Sequence, residues 1–105
     1  LFELGDDAIL ANAIANSQIL TNATSVGMAP NTDNCIINDK SMLREDLIVS
    51  DVIYNPMETK LLKIAKEQGC QTFNGLYMLL YQGAEAFKIW TGKEMPIEHI
   101  KKLYF

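Results

Sequence analysis

The longest helical pattern in the sequence is Phe73-Asn-Gly-Leu-Tyr-Met-Leu-Leu-Tyr-Gln-Gly-Ala-Glu-Ala-Phe-Lys-Ile-Trp-Thr-Gly92. At about 3.6 residues per turn it predicts a helix of about four and a half turns. Asn74-Gly75 provides a turn before this helix, and Thr91-Gly92 provides a glycine stop after it. The rest of the chain is interpreted around this helix.

Gln82 departs from the two-faced pattern of the long helix. On a helical wheel it falls between Met78, Leu79 and Ile89, away from the charged side chains. Burying a side-chain amide without a partner costs about 1–3 kcal/mol. The pattern therefore favours a core helix in which Gln82 bonds to nearby main chain, with a ligand-binding glutamine as the alternative. Gly83 lies on the same packed side and is expected to allow close approach of another backbone.

Composition and charge restrict the class of protein. The 105 residues suffice for one domain, and an apolar fraction of 49% is ordinary for a globular protein. A net charge of −4 argues against a nucleic acid or an anionic membrane as partner. Cys35 and Cys70 lie far apart in sequence, which predicts neither a disulfide framework nor a metal site and fits a reducing cytoplasm. No apolar run reaches the ~18 residues of a membrane span, and the start at Leu1 suggests a piece of a longer protein.

The remaining sequence alternates between predicted strands and helices. Strands are predicted at 1–4 (the end of one), 18–21, 46–54 and 70–73. Helices are predicted up to about Asn16 after an aspartate cap in Gly5-Asp-Asp7, as irregular turns at 38–45, between a Thr59 cap and Gly69, and from Ile97 to Tyr104 after Pro96. This alternation predicts a parallel sheet covered by helices.

Three loops are expected to meet at one edge of this sheet. Right-handed crossovers bring the carboxyl ends of parallel strands to the same edge. The segments that follow the strands are Asn22–Met28, Val52–Asn55 and the turn at Asn74-Gly75. Open α/β sheets bind ligands at this edge, so the sequence places a binding site there.

The residue types favour ligand binding over catalysis. His99 lies in the last helix beside charged residues and is interpreted as a surface residue, and no Gly-x-Gly occurs in the sequence. Thr24 and Ser25 are able to bond a carboxamide or a ribose, and Tyr54 and Gln82 a hydroxylated substrate. The alternative is a plain turn and ordinary core residues.

Several motifs resemble the shikimate dehydrogenase family in order and spacing, from about Ala8 to Leu103. They are Asn22-Ala-Thr-Ser-Val-Gly-Met28, Val52-Ile-Tyr-Asn-Pro56, Thr59-Lys-Leu-Leu62, Gly75-Leu-Tyr-Met-Leu79 and Gln82-Gly-Ala-Glu-Ala-Phe-Lys-Ile-Trp-Thr-Gly92. The fold that this resemblance implies is α/β: the second half of a Rossmann-like parallel three-layer α/β/α nucleotide-binding domain plus C-terminal helices. Residues 1–92 would form the half-domain, and residues 93–105 a helix returning toward a substrate domain that is not in this chain.

The resemblance also implies an activity and a set of site residues. The activity is the reversible reduction of 3-dehydroshikimate to shikimate with NADPH, in aromatic amino-acid (chorismate) biosynthesis in the cytoplasm. The implied cofactor-binding residues are Asn22, Ala23, Thr24, Ser25, Val52, Ile53, Tyr54, Asn55, Gly75, Met78 and Leu79. Tyr54 and Gln82 would also bind the substrate, whereas the catalytic lysine and aspartate of the family have no counterpart here, so this chain alone is expected to be inactive.

Two points stay open after the resemblance. Tyr77 stands where the family commonly has a second glycine, and its ring is expected either to crowd the pocket or to project into a neighbouring cleft. The alternatives for function are a dual-specificity quinate/shikimate dehydrogenase using NAD or NADP, and a non-catalytic half-domain that binds a nucleotide or a protein. The expected partner is a small molecule, with no nucleic acid, membrane or metal, and a homodimer is one option for the assembly.

Overall fold

A computed structural model describes residues 3–105. Its elements are α1 (Asp7–Ala15), β1 (Ile19–Asn22), a 3₁₀ turn (Lys40–Met42), β2 (Ile48–Asp51), α2 (Lys60–Glu67), β3 (Gln71–Phe73), α3 (Leu76–Thr91) and α4 (Ile97–Tyr104). The strands form one parallel sheet in the order β1-β2-β3. The predicted α/β class with a parallel sheet is confirmed.

The chain divides into two compact units, Leu1–Gly75 and Leu76–Phe105. The first unit contains the sheet, with α2 packed on β2 and β3. Its core is a cluster of buried apolar side chains: Ile14, Ile37, Leu43, Leu47, Val49, Leu61, Leu62, Ala65 and Cys70. The second unit consists of α3 and α4.

Helix ends follow the predicted capping residues. Asp6 caps α1 by accepting a 3.1 Å hydrogen bond from the Ile9 N–H. The Thr59 hydroxyl caps α2 by accepting from the Leu62 N–H. Gly92 follows α3 with φ of +69°, a left-handed conformation that glycine adopts without strain.

Some predicted bounds differ from the structure. Leu1 and Phe2 of the predicted first strand lie outside the described residues, and Leu4 lies in a turn. The strand predicted over 46–54 is limited to Ile48–Asp51, and the helical turns predicted over 38–45 to Lys40–Met42. The strand is shorter because the Ile53 N–H bonds to the Asp51 carboxylate and leaves the sheet ladder.

The predictions that Gln82 and Gly83 lie on a packed side of α3 are wrong. Gln82 is exposed, not buried. A Cβ added at Gly83 would meet nothing within 4 Å, so no other backbone approaches there. The wheel identified a stripe of apolar residues but could not tell which part of that stripe becomes buried; the described interior of α3 consists of Leu80 and Ala84.

Candidate functional site

The three predicted loops meet at the carboxyl ends of the strands. The Val52 N–H donates to the Asn22 carbonyl at 3.0 Å, and the Ala29 N–H donates to the Asn55 carbonyl at 3.2 Å. The Gly75 N–H donates to the Ile53 carbonyl at 3.0 Å. The predicted convergence of these three segments is confirmed, and main-chain hydrogen bonds stabilise it.

A cleft of about 340 Å³ lies between the first two of these loops. It is lined by Thr24, Ser25, Met28, Ala29, Val52, Ile53, Tyr54 and Asn55. Tyr54 is 45% exposed, so its hydroxyl-bearing ring is accessible from solvent. Most of the lining consists of residues that the sequence proposed for cofactor contact, with Met28 and Ala29 added by the structure.

A buried polar network lies at the carboxyl ends of β1 and β2. Asn22, Asp51 and Thr59 are each 1% exposed. The Asn22 amide donates to both Asp51 carboxylate oxygens, at 3.2 and 3.3 Å, and the Thr59 hydroxyl donates to Asp51 Oδ2 at 2.8 Å. Asn22 and Asp51 are brought together because they are partners in the parallel register of β1 and β2.

The Asn22 side chain also organises the loop that follows it. Its Oδ1 accepts from the Thr24 N–H at 3.1 Å and from the Thr24 hydroxyl at 2.7 Å. Its Nδ2 donates to the Val26 carbonyl at 3.1 Å, and the Val26 N–H donates back to Thr24 Oγ1. Every polar atom of the Asn22 side chain therefore has a partner within the protein, and an aspartate there would place a second carboxylate beside Asp51.

Gly75 is required by the chain around it. A Cβ at this position would lie 1.9 Å from the Val52 carbonyl oxygen and 2.4 Å from the Val52 carbonyl carbon. Real side chains do not occupy such a position, so a larger residue would displace the Val52–Asn55 wall of the cleft. The close contact between this turn and the end of the strand therefore requires a glycine.

The other predicted site residues lie in the second unit. Met78, Leu79 and Gln82 occupy α3, where spacings of three and four residues put them on one side of the helix. Met78 and Gln82 are exposed, and Leu79 is half-buried. Tyr54 and Gln82, the predicted substrate ligands, thus belong to different units.

Tyr77, the departure from the family pattern, packs within the second unit. Its ring lies 6.3 Å from that of Tyr81 and 5.4 Å from that of Phe105, measured between centroids. The Lys101 ammonium lies 5.5 Å from the Tyr77 centroid. Hydrogen bonds to Tyr81 and Glu98 raise the pKa of Lys101 above its usual value. Tyr77 therefore joins α3 to the C-terminal segment.

A larger cleft of about 720 Å³ occurs elsewhere in the first unit. It is lined by Val26, Asp33, Asn34, Cys35, Ile37, Asn38, Asp39, Lys40, Lys60 and Ile64. None of these is a predicted site residue, and the Lys60 ammonium donates to the Asp33 carbonyl. The smaller cleft is the better candidate because two of the three strand-end segments line it.

The described residues hold neither a metal cluster nor a membrane-spanning helix. Among residues 3–105, no group of three His, Cys, Asp or Glu side chains is arranged to hold a metal ion. None of the helices in this range combines the length and the apolar character needed to cross a bilayer.

Comparison with known proteins bears on the site. Residues 75–103 match the family model described as the shikimate 5'-dehydrogenase C-terminal domain. The chain is 55% identical over 105 residues to shikimate dehydrogenase (NADP(+)) of Listeria monocytogenes serovar 1/2a, covering 100% of this chain and 36% of the relative. A crystal structure of the Listeria monocytogenes enzyme with shikimate and NAD matches with a TM-score of 0.91 at 55% identity, again over 100% of this chain and 36% of that one.

Over its whole length the chain matches members of the shikimate dehydrogenase family, and the matched region is a part of those longer proteins. The chain is also 46% identical over 101 residues to the quinate/shikimate dehydrogenase of Shigella flexneri serotype 5b, covering 96% of this chain and 41% of the relative. The chain therefore spans well under half the length of the curated relatives that it matches.

Two buried residues at this edge of the sheet, Asp51 and Thr59, are not among the site residues predicted from sequence. Thr59 was recognised as a helix cap, but its second bond, to Asp51, depends on tertiary structure. For Asp51 the available indication was its position at the end of a buried strand, opposite a loop that starts with asparagine. A buried carboxylate needs hydrogen-bond donors, and the structure shows which groups donate to Asp51.

Proposed function

We propose that this chain provides the nicotinamide side of the cofactor cleft, and part of the substrate site, of a shikimate dehydrogenase. The reaction is the reversible reduction of 3-dehydroshikimate to shikimate with NADPH, a step of aromatic amino-acid biosynthesis. The observation that carries this proposal is the cleft whose walls are Thr24–Ser25 and Val52–Asn55. The relative at 55% identity, named as an NADP(+) enzyme, supports the same activity.

The residues of the cleft fit a nicotinamide. Met28 and Val52 offer apolar surface to a flat ring, and the exposed Ser25 offers hydroxyl and amide groups to a carboxamide beside Thr24, whose own hydroxyl and N–H bond to Asn22. Asn22 and Ala23 would support this loop, and Gly75, Met78 and Leu79 would complete the cofactor contacts. When bound, the reduced nicotinamide supplies a hydride to the carbonyl carbon of the substrate.

The role of this chain is to bind and orient the reactants. Tyr54 and Gln82 would each hydrogen-bond a substrate hydroxyl and so help to orient the substrate. The apolar side chains of the cleft would exclude water from the transfer. The proton that the new hydroxyl needs is not assigned to any residue of this chain, so no catalytic residue is proposed and the 105-residue chain alone is expected to be inactive.

The test is a steady-state assay of the whole protein that contains this chain, with shikimate or quinate and with NADP or NAD. Gln82→Ala and Tyr54→Phe should each raise the KM for shikimate about tenfold, because each removes a hydrogen bond to a hydroxyl group. Gln71→Ala and Tyr104→Phe, at exposed positions outside the cleft, are matched controls. An unchanged KM in both site variants, or no activity with any pair of reactants, would refute the proposal.

A dual-specificity quinate/shikimate dehydrogenase is the second candidate. The 46% identity to the Shigella flexneri enzyme favours it. A kcat/KM for quinate within about tenfold of that for shikimate would decide for this candidate, and the same comparison of NADP with NAD would establish the cofactor. Failure of all four combinations, together with nucleotide binding, would leave the non-catalytic half-domain.

The same proposal covers the domain boundaries of the chain, its cellular location, its partner and its assembly. Residues 1–92 would belong to the nucleotide-binding domain, and residues 93–105 to a helix that returns toward the substrate domain. The setting would be the cytoplasm, the partner a small molecule, and the assembly a monomer or homodimer. Size-exclusion chromatography of the whole protein would distinguish these two assemblies.

A further inference from the structure

We propose that Asp51 and Thr59 are positioning residues that hold both walls of the cleft without touching a ligand. This inference rests on the proposed function, because it concerns how the proposed cofactor site keeps its shape. It assigns a role to Asp51, a buried carboxylate that is not among the expected cofactor or substrate contacts.

Asp51 is fully engaged by protein donors. Its Oδ1 accepts from the Ile53 N–H at 3.0 Å, and its Oδ2 accepts from the Thr59 hydroxyl at 2.8 Å. The Asn22 amide donates to both oxygens. A buried carboxylate is stable only when donors replace the water it has lost, and these three donors belong to three different segments. Asp51 is thus the point at which those segments are joined.

Two of the groups that bond to Asp51 connect it to walls of the cleft, and the third, Thr59, connects it to the start of α2. Through Asn22 it reaches Thr24, whose hydroxyl and N–H both bond to Asn22 Oδ1. Through the Ile53 N–H it sets the direction of the chain before Tyr54. If these bonds to the Asp51 carboxylate were lost, both walls would be released together. Asp51 is 1% exposed, so water does not replace the lost bonds.

Thr59 ties this network to α2. Its hydroxyl donates its single proton to Asp51 and accepts from the Leu62 N–H at 3.3 Å. Serine retains both bonds, whereas valine has the same shape as threonine and makes neither. Thr59→Val is therefore a milder probe than Asp51→Ala, which would leave buried donors unpaired and could prevent folding.

The helix cap of α1 offers a matched control. Asp6 caps α1 by accepting from the Ile9 N–H, and it is exposed and makes no bond to the cleft network. Asp6→Ala and Thr59→Val both remove a cap, but only the second removes a bond to Asp51. A loss of helix capping by itself should affect both variants alike.

The experiment compares Thr59→Val, Thr59→Ser and Asp6→Ala in the whole protein. The KM for NADP is expected to rise about tenfold in Thr59→Val, since a buried hydrogen bond is lost. It should remain within about twofold of the wild-type value in Thr59→Ser and Asp6→Ala, because both leave the Asp51 bonds in place. Reduced folding alone lowers kcat at unchanged KM, so an unchanged KM in Thr59→Val, or an equal rise in Asp6→Ala, would overturn the inference.

Amide hydrogen exchange separates this inference from the proposed activity. The amides of Thr24, Val26 and Ile53 donate to side chains of the network. They should exchange about tenfold faster in Thr59→Val and at the wild-type rate in Thr59→Ser. This result is independent of turnover: an inactive wild-type protein would refute the proposed function, whereas unchanged exchange at these amides would refute the positioning role.

Discussion

The two compact units differ in how their polar and apolar groups are placed. The first unit buries a contiguous apolar cluster and a fully bonded polar network. In the second unit the buried positions of α3 are Leu80 and Ala84, and α4 has none. Large apolar side chains of the second unit are exposed, with Ile89 at 79% and Trp90 at 82%.

The contrast between the two units shows which part of the candidate site is held in place by its own residues. The cleft walls at Thr24–Ser25 and Val52–Asn55 are held by buried bonds and by the core beneath them. Met78 and Gln82, in contrast, lie on a helix with little core of its own. We therefore expect substitutions in the first unit to cost stability, and matched substitutions in the second to cost little.

The largest contrast is expected between two glycines. Gly75→Ala should lower the free energy of unfolding by about 3 kcal/mol or more, because the new Cβ overlaps the Val52 backbone. Gly83→Ala should raise it by about 0.5–1 kcal/mol, since alanine fits the open space there and favours the helix. Urea unfolding of the two variants measures both values, and equal effects would break the comparison.

A second contrast concerns aliphatic side chains. Val49→Ala should cost about 2 kcal/mol, because Val49 is 0% exposed in the centre of the sheet. Ile89→Ala should change stability by less than about 0.5 kcal/mol, since Ile89 is 79% exposed. If Ile89→Ala lowered the free energy of unfolding as much as Val49→Ala in the same urea titration, the comparison would be contradicted. More of the second unit would then be buried than the packing of its own helices accounts for.

Within the second unit, the aromatic contacts of Tyr77 should be the main stabilising feature. Tyr77→Leu is expected to cost about 1 kcal/mol, because two ring contacts are lost. Tyr104→Leu is the matched control, at a position 76% exposed. Thermal unfolding followed by circular dichroism tests the pair; identical midpoints would show that the aromatic cluster does not hold the C-terminal segment.

The smallest expected effect is a pH dependence in the second unit. The pKa of Lys101 is raised by its bond to Tyr81 and by Glu98. A raised folded-state pKa means that this contribution is complete below the unfolded pKa of about 10.4 and is lost as the pH rises further. The difference in melting temperature between wild type and Lys101→Met should therefore shrink above about pH 10.4. Lys102→Met serves as the control, and a difference that grows with pH would contradict the assignment.

Much of the first unit could be predicted from sequence because its determinants are local. The Asp6 and Thr59 caps, the strand before Asn22 and the glycine turn at Gly75 are specified by neighbouring residues, and the structure confirms them. Gln82 could not be assigned in this way. Its position on the wheel was correct, but burial depends on what packs against the helix, which periodicity does not specify.

The alternation of strands and helices, the parallel sheet and the loops that meet at its carboxyl edge can all be inferred from the sequence. These follow from hydrophobic periodicity, capping residues and turn chemistry, which act within a few residues. Three contacts depend on the tertiary structure: the buried network of Asn22, Asp51 and Thr59, the approach of Gly75 to Val52, and the packing of Tyr77 on Phe105. Each of these contacts joins residues that are distant in sequence, so each exists only once the strand register and helix packing have brought the partners together.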